Sequence, residues 1–151
     1  MTQRVDYFSI APDAVKPVLA LENHVSGKSG LDPALRHLIK LRASQINGCA
    51  FCVDMHVKQA RAHGLSEQWI ALVATWREAR VFTPRERALL ALVDSVTRMQ
   101  DHGVPDDVYD AARHWFPDAE MVEIVVAIGT INIWNRLAVT FRSEHPLDNA
   151  A

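Results

Sequence analysis

An all-α fold is what this sequence predicts, on three observations. Apolar residues recur at helical spacing along nearly all of its 151 residues. No window sustains the alternation of apolar and polar residues that marks a strand. Capping residues and stop glycines stand at the ends of the periodic segments. The chain shows no repeat, low-complexity run or linker, so the expectation is a single compact domain over residues 1–151. Its periodic segments suggest about six helices.

The segments follow in order. MTQRVDYFSIAPDAVKP has no apolar run, and Pro12 and Pro17 interrupt it. Neither a signal peptide nor a membrane anchor is expected there. SGKSG, Ser26 to Gly30, has part of a phosphate-loop pattern, but Glu22 stands where the first glycine belongs and no strand precedes it. It reads as a flexible loop between helices. LDPALRHLIKLRASQING predicts a helix capped by Asp32, with Pro33 at its first position and Gly48 near its stop. CAFCVDMHVKQARAHG starts just after that glycine and ends at Gly64. In LSEQWIALVATWREAR, Trp69, Leu72, Val73 and Trp76 form one apolar stripe. TPRERALLALVDSVTRMQDHG opens with Thr83 and Glu86 in capping-box spacing, and its stripe is Leu89, Leu92, Val93 and Val96. VPDDVYDAARHWF reads as a short helix. DAEMVEIVVAIGTINIWNRLAVTFR is the longest and is apolar nearly all round. Glu123, Asn132, Asn135 and Arg136 within it would be penalised in a bilayer core, so it reads as a buried helix at the centre or at a subunit interface.

Composition narrows the function. Apolar residues make up 49% and charged residues 23%, with a formal net charge of -2. That balance suggests no polyanion-binding surface, so no nucleic-acid partner is expected, nor a membrane. A cytoplasmic location is the default. In that compartment a cysteine pair is more often catalytic or metal-binding than a structural staple.

The only two cysteines lie in SQINGCAFCVDMH. A helix beginning near Cys49 places Cys49, Cys52, Val53, His56 and Ala60 on one face. Ala50, Asp54, Lys58 and Arg61 fall on the other, with Asp54 and Lys58 as an i,i+4 pair. Helical residues three apart have Cα atoms roughly 5 Å from one another, inside the range a disulfide needs. The positive end of a helix stabilises a thiolate. His56, one turn beyond Cys52, is placed to exchange a proton with its sulfur. A sulfenic acid beside a second thiol can condense to a disulfide. A metal fits less well: Cys49 and His56 are about 10 Å apart along the axis, and structural zinc takes four ligands. His63 is further still. A metal shared with a partner subunit and an inert pair of buried thiols both remain open. His24, His102, His114 and His145 form no spaced cluster and read as surface or capping residues.

LRHLIKLRASQINGCAFCVDMHVKQAR resembles the core motif of the AhpD-like alkylhydroperoxidases of the carboxymuconolactone decarboxylase superfamily. DYFSIAPDAVKPVLALE, WREARVFTPRERALLALVDSVTR and INIWNRLAVTFR resemble its flanking segments, so the likeness covers nearly the whole chain. It implies a compact all-helical unit assembled as a homo-oligomer, a trimer or hexamer. It also implies a thiol peroxidase acting on an organic hydroperoxide or hydrogen peroxide, with a dithiol protein as reductant. Carried over, Cys52 is the attacking thiolate. Cys49, nearer the surface, is the resolving thiol, and His56 relays the proton. The helix-start argument instead makes Cys49 the more acidic thiol. No flavin, haem or metal cofactor is implied.

One position departs from the family pattern. A glutamate usually stands twelve residues before the first cysteine; here it is His37, beside Arg36. A histidine gives no fixed negative charge but can accept a proton. His37 is therefore a candidate relay residue that would make activity pH-dependent near neutrality, or else a residue of the helix surface. Glu78 or Glu86 are the alternative acids. Trp134, Asn135 and Arg136 are candidate pocket residues, with packing the favoured role for Trp134.

Three functions follow. The first is a peroxidase cycling through a C-x-x-C disulfide with a histidine relay. The second is a lactone decarboxylase-type lyase, a reading the cysteine pair disfavours. The third is a redox-sensing oligomer or disulfide reductase with little peroxidase activity.

Overall fold

Caps and prolines decide where the helices start. The computed structural model describes residues 2–99 and 103–148. Asp6 accepts the N–H of Phe8 and opens α1 (Tyr7–Ile10). Pro12 occupies the first turn of α2 (Pro12–Gly27), where its missing N–H costs nothing. Asp32 caps α3 (Pro33–Ile46), accepting from Ala34 N at 2.7 Å. Cys49 caps α4 (Ala50–Ala62) and Ser66 caps α5 (Glu67–Leu72), which tightens into a 3₁₀ turn at Val73–Thr75. The capping box of Thr83 and Glu86 opens α6 (Pro84–Arg98). α7 (Asp106–Trp115) and the long α8 (Asp118–Phe141) complete the chain.

The described residues thus form eight α-helices, not about six, and no strand. The two additional helices lie in the proline-bearing start. Pro17 sits inside α2 and forfeits one backbone hydrogen bond, a loss the buried Val15 and Val25 of the same helix outlast. SGKSG is also not all loop, since Ser26 and Gly27 end α2. The stripe in LSEQWIALVATW is present, with Trp69, Val73 and Trp76 buried, but its helix stops at Leu72. His102 lies outside the described residues.

α3 is the central element, packing on α4, α6 and α8. Leu38, Ile39 and Leu41 of α3, Leu89, Leu90 and Leu92 of α6, and Ile124, Ile128 and Ile131 of α8 are almost wholly buried together. Each such side chain contributes about 1.5–3 kcal/mol through burial. By length and composition α8 could cross a membrane. In this fold its apolar inner face is core, and Asn135 within it is buried and hydrogen-bonded.

One polar cluster pins this core. Asp94 of α6, 3% exposed, accepts from Arg42 Nε at 2.6 Å and Arg42 Nη2 at 3.1 Å. Arg77 Nη1 reaches the same carboxylate at 2.7 Å. Burial alone would raise the Asp94 carboxyl, but the guanidinium groups of Arg42 and Arg77 outweigh it and hold it below the ordinary carboxylate range. A depressed folded pKa means stability that is present above the unfolded value and lost as pH falls through the folded one. Asp94→Ala leaves Arg42 buried without its partner and should cost about 3–5 kcal/mol in urea unfolding at neutral pH. The gap between variant and wild type should narrow in strong acid as the wild-type carboxylate is protonated.

Candidate active site

The site is built where α3 turns into α4. Gly48 takes a left-handed conformation (φ 65°) that side chains disfavour, and the turn lets Cys49 N donate to Ser44 O at 3.0 Å. Cys49 then stands in the N-cap position, and its Sγ accepts the N–H of Cys52 at 3.3 Å. A sulfur thus occupies the place usually taken by a serine or aspartate oxygen.

Both cysteines are free, and both are 1% exposed. Cys49 is therefore not the nearer to the surface. Cys52 lines a cavity of about 490 Å³, whereas Cys49 does not, packing behind it with Ala138 and Phe51. The pair is electrostatically unequal. The Cys52 thiol donates to the Cys49 sulfur and, against the effect of burial, brings Cys49 down to about 7; the Cys52 N–H and the Asn135 side chain assist. Cys52 is pushed up by the same hydrogen bond, by burial and by the Cys49 charge. Of the two sulfurs Cys49 is the one that ionises first, and the proton the pair keeps longest sits on Cys52.

His56 lies one turn along α4, 3% exposed. Its Nδ1 is 3.0 Å from Gln59 Oε1. An amide oxygen only accepts, so Nδ1 carries the hydrogen and Nε2 the lone pair. That Nε2 is buried without a partner. Burial brings His56 down to about 4, with Lys40 and His37 adding to the effect and Gln59 and Glu22 opposing it. The ring is a neutral acceptor at physiological pH.

His37 of α3 reaches the same cavity and is 7% exposed, so it is no surface residue. Its ring stands 4.7 Å from that of His63, and its Nδ1 is buried and unpartnered. Burial, then His63, Lys40 and Arg36, bring it down to about 4. The titration expected of His37 near neutrality is thereby displaced, and Cys49 takes that range instead.

The alternative acids are elsewhere. Glu78 is exposed, and Glu86 is engaged by Thr83 and by Trp69 Nε1 at 3.0 Å. The carboxylate in the cavity is Glu22 of α2, paired with Lys40. Burial would raise Glu22, but hydrogen bonds from Lys40 and Ser26 hold it low. Sequence reasoning missed Glu22, Lys40 and Gln59. Only Gln59 left a signal, standing at i+3 from His56 on the same face. Trp134 lines the cavity as well as packing, stacked on Phe8 at 6.0 Å. Asn135 binds Ser44 Oγ at 3.0 Å, while Arg136 is exposed and bonds back to Asn132. His24 pairs with Glu123 at 2.7 Å, outside the cavity. Among the described residues no three His, Cys, Asp or Glu side chains converge as metal ligands.

An all-helical unit with a C-x-x-C pair at a helix start, a histidine one turn on and a half-enclosed cavity defines a class of small thiol-bearing helical proteins. The chain belongs to the carboxymuconolactone decarboxylase family, whose model matches residues 12–95, and within that superfamily it is AhpD-like. It is 39% identical over 139 residues to the uncharacterized protein YdfG of Bacillus subtilis, covering 92% of this chain and 94% of that one. A crystal structure from Agrobacterium tumefaciens, of a protein of unknown function and candidate antioxidant defence protein AhpD, superposes with TM-score 0.95. It is 57% identical, over 97% of this chain and 100% of that one. An uncharacterized peroxidase-related protein from Ralstonia eutropha JMP134, an alkylhydroperoxidase AhpD core, gives TM-score 0.81 at 25% identity, over 92% and 74% of the two chains. The debrominase Bmp8, at 16% identity and TM-score 0.78, over 89% and 72% of the two chains, shares the fold.

The unequal pair is open to direct measurement. Ultraviolet thiolate absorbance of the reduced protein should rise with pH through a midpoint of about 7, with the amplitude of one thiolate. Cys49→Ser should abolish that step, since the acidic thiol is then gone and the buried Cys52 thiol is left to ionise at higher pH. A step that survives in Cys49→Ser would reassign the acidic thiol.

Proposed function

We propose that the protein is a thiol-dependent peroxidase for hydroperoxides that cycles through a Cys49–Cys52 disulfide. The observation that carries this reading is the division of labour between two buried sulfurs. Cys52 faces the cavity beside His56, and Cys49 waits behind it as a capped thiolate. The description of the Agrobacterium relative as an antioxidant defence candidate and of the Ralstonia relative as peroxidase-related supports it.

The chemistry balances as follows. Cys52 passes its proton to His56 Nε2, directly or through one water, and its sulfur attacks the distal oxygen of the hydroperoxide. The O–O bond breaks, the sulfur is oxidised to a sulfenic acid, and the leaving alkoxide takes the proton back from His56 as alcohol. The Cys49 thiolate then attacks Cys52 sulfur, the S–O bond breaks, and hydroxide leaves to be protonated as water. Two electrons have passed from the sulfur pair to the peroxide. A dithiol protein returns them by thiol–disulfide exchange. His37 extends the proton network of His56. The exposed Val122, Val125 and Ile133 of α8 are consistent with a homo-oligomer, a trimer or hexamer.

The lyase reading has little to stand on here. The cysteine pair disfavours it, and of the two cations on the cavity wall Lys40 is paired with Glu22 while Arg36 donates through Nη1 to the carbonyls of Val25 and Ser26. A disulfide reductase or redox-sensing oligomer would use the same two sulfurs without peroxide.

Excess organic hydroperoxide should remove both thiols of the reduced protein, and a dithiol should restore them. Cys52→Ser should slow peroxide consumption about a hundredfold or more. Cys49→Ser should still react once and accumulate a trappable sulfenic acid on Cys52. Thiols that persist in excess peroxide, yet exchange with protein disulfides, would replace the peroxidase with a reductase.

A further inference from the structure

The two sulfurs of the site differ in how they can be reached. Cys52 lines the cavity of about 490 Å³ and Cys49 does not. Cys49 clusters with Cys52, Phe51 and Ala138, and those three residues all line the cavity. They stand between Cys49 and the opening.

On its other flank Cys49 meets α3 and α8 through hydrogen-bonded groups. Its own N–H donates to Ser44 O at 3.0 Å. The Ser44 hydroxyl, fully buried, accepts from Asn135 Nδ2 at 3.0 Å and donates to Lys40 O at 2.7 Å. Asn135 is 1% exposed and also reaches the Cys49 sulfur. Its Oδ1 accepts from Asn47 Nδ2 at 2.9 Å, and the same Asn47 amide donates to Asn132 Oδ1 at 2.8 Å. Parting these groups to admit a molecule would leave buried donors and acceptors unpaired. Cys49 is therefore closed on both sides, while Cys52 is open on one.

Thiol–disulfide exchange turns that difference into a direction. The attacking thiolate approaches along the line of the S–S bond that it breaks, from the side away from the leaving sulfur. The rate depends on which sulfur is attacked, on access to it and on how readily the other one leaves. Attack on Cys52 can come from the cavity, with Cys49 behind it as the sulfur that leaves. Attack on Cys49 would have to come through the packed groups of α3 and α8. The leaving sulfurs differ in the same sense. Cys49 departs into the N-cap position of α4, where the Cys52 N–H donates to it at 3.3 Å and the helix end stabilises negative charge.

We propose that the reductant attacks the Cys52 sulfur and not Cys49, a step that rests on the disulfide of the peroxidase reading, so that peroxide and reductant use the same sulfur from the same cavity in turn. A thiolate of the dithiol forms a bond to Cys52 Sγ, the Cys49–Cys52 bond breaks, and its electron pair leaves with Cys49. The second thiolate of the dithiol then attacks the reductant's own sulfur in the mixed disulfide. That bond breaks and releases Cys52. The dithiol loses two electrons and two protons. One proton ends on Cys52, and the other goes to Cys49 or to solvent according to pH. The reductant has to carry its sulfur into the cavity, since neither cysteine meets it at the outer surface.

The test starts from wild-type protein closed to the disulfide with diamide, an oxidant that requires no peroxidase activity. Excess β-mercaptoethanol is added, the reaction is quenched in acid and denaturant, and free thiols are alkylated. Peptide mass spectrometry then locates the mixed disulfide. The adduct should favour Cys52 over Cys49 by about tenfold or more. Met55→Trp, which fills the cavity from α4, should slow reduction of the disulfide by dithiothreitol by about tenfold or more, with its helical circular dichroism retained. An adduct mainly on Cys49, or wild-type reduction of folded Met55→Trp, would overturn the proposal while the peroxidase reading stands. Thiols that close with diamide yet persist in hydroperoxide would overturn the peroxidase reading alone. Failure to close with diamide would overturn both.

Discussion

The hydrogen bond from Cys52 N–H to Cys49 Sγ is the interaction on which the site depends. It does three things with one geometry. It ends the turn after Gly48 and starts α4, as an N-cap does in any helix. It places the acidic sulfur where backbone N–H groups and the helix end stabilise negative charge. It also fixes the second sulfur one turn on, at the cavity wall. A serine or aspartate cap would serve the helix as well or better, but neither could close a disulfide. The fold accepts a poorer cap and obtains a chemically useful one.

Burial makes this arrangement consequential. In water the difference between the two thiols would be small. Here the neighbouring thiol, one backbone N–H and the Asn135 side chain act where solvent does not screen them. The same burial holds His56 and His37 neutral, since an imidazolium would lose hydration without a compensating carboxylate close by. The carboxylate that is present, Glu22, is committed to Lys40. The second cation on the cavity wall, Arg36, is held by the carbonyls of Val25 and Ser26. Fixed groups of this kind are in place before the O–O bond breaks and charge develops.

Much of this was legible in the sequence, because local signals were strong. Asp32 with Pro33, Thr83 with Glu86, and Gly48 and Gly64 mark the helix ends where the structure has them. The face of α4 follows from 3.6-residue periodicity, and Cys52, His56 and Ala60 are indeed its buried set. What escaped was non-local. α1 and α2 were hidden by Pro12 and Pro17, whose helix-breaking reputation does not apply at a first turn and was outweighed by burial at the other. Glu22 meets the site from another helix, and nothing in its own neighbourhood announces a partner at Lys40. The depth of Cys49 was misjudged because a helix start is usually at the surface, whereas this one is covered by α8 through Ala138. The likeness to a known family was legible from the motif and is matched by the family model over residues 12–95.

The most direct test of the account compares two curves on the wild-type protein. One is the pH profile of disulfide formation under a fixed excess of organic hydroperoxide. The other is the spectroscopic titration of the thiolate. If the capped Cys49 thiolate closes the disulfide, both should rise together through about 7. A rate that stays flat across that step, or that rises only far above it, would contradict the account and leave Cys49 a cap without a chemical role.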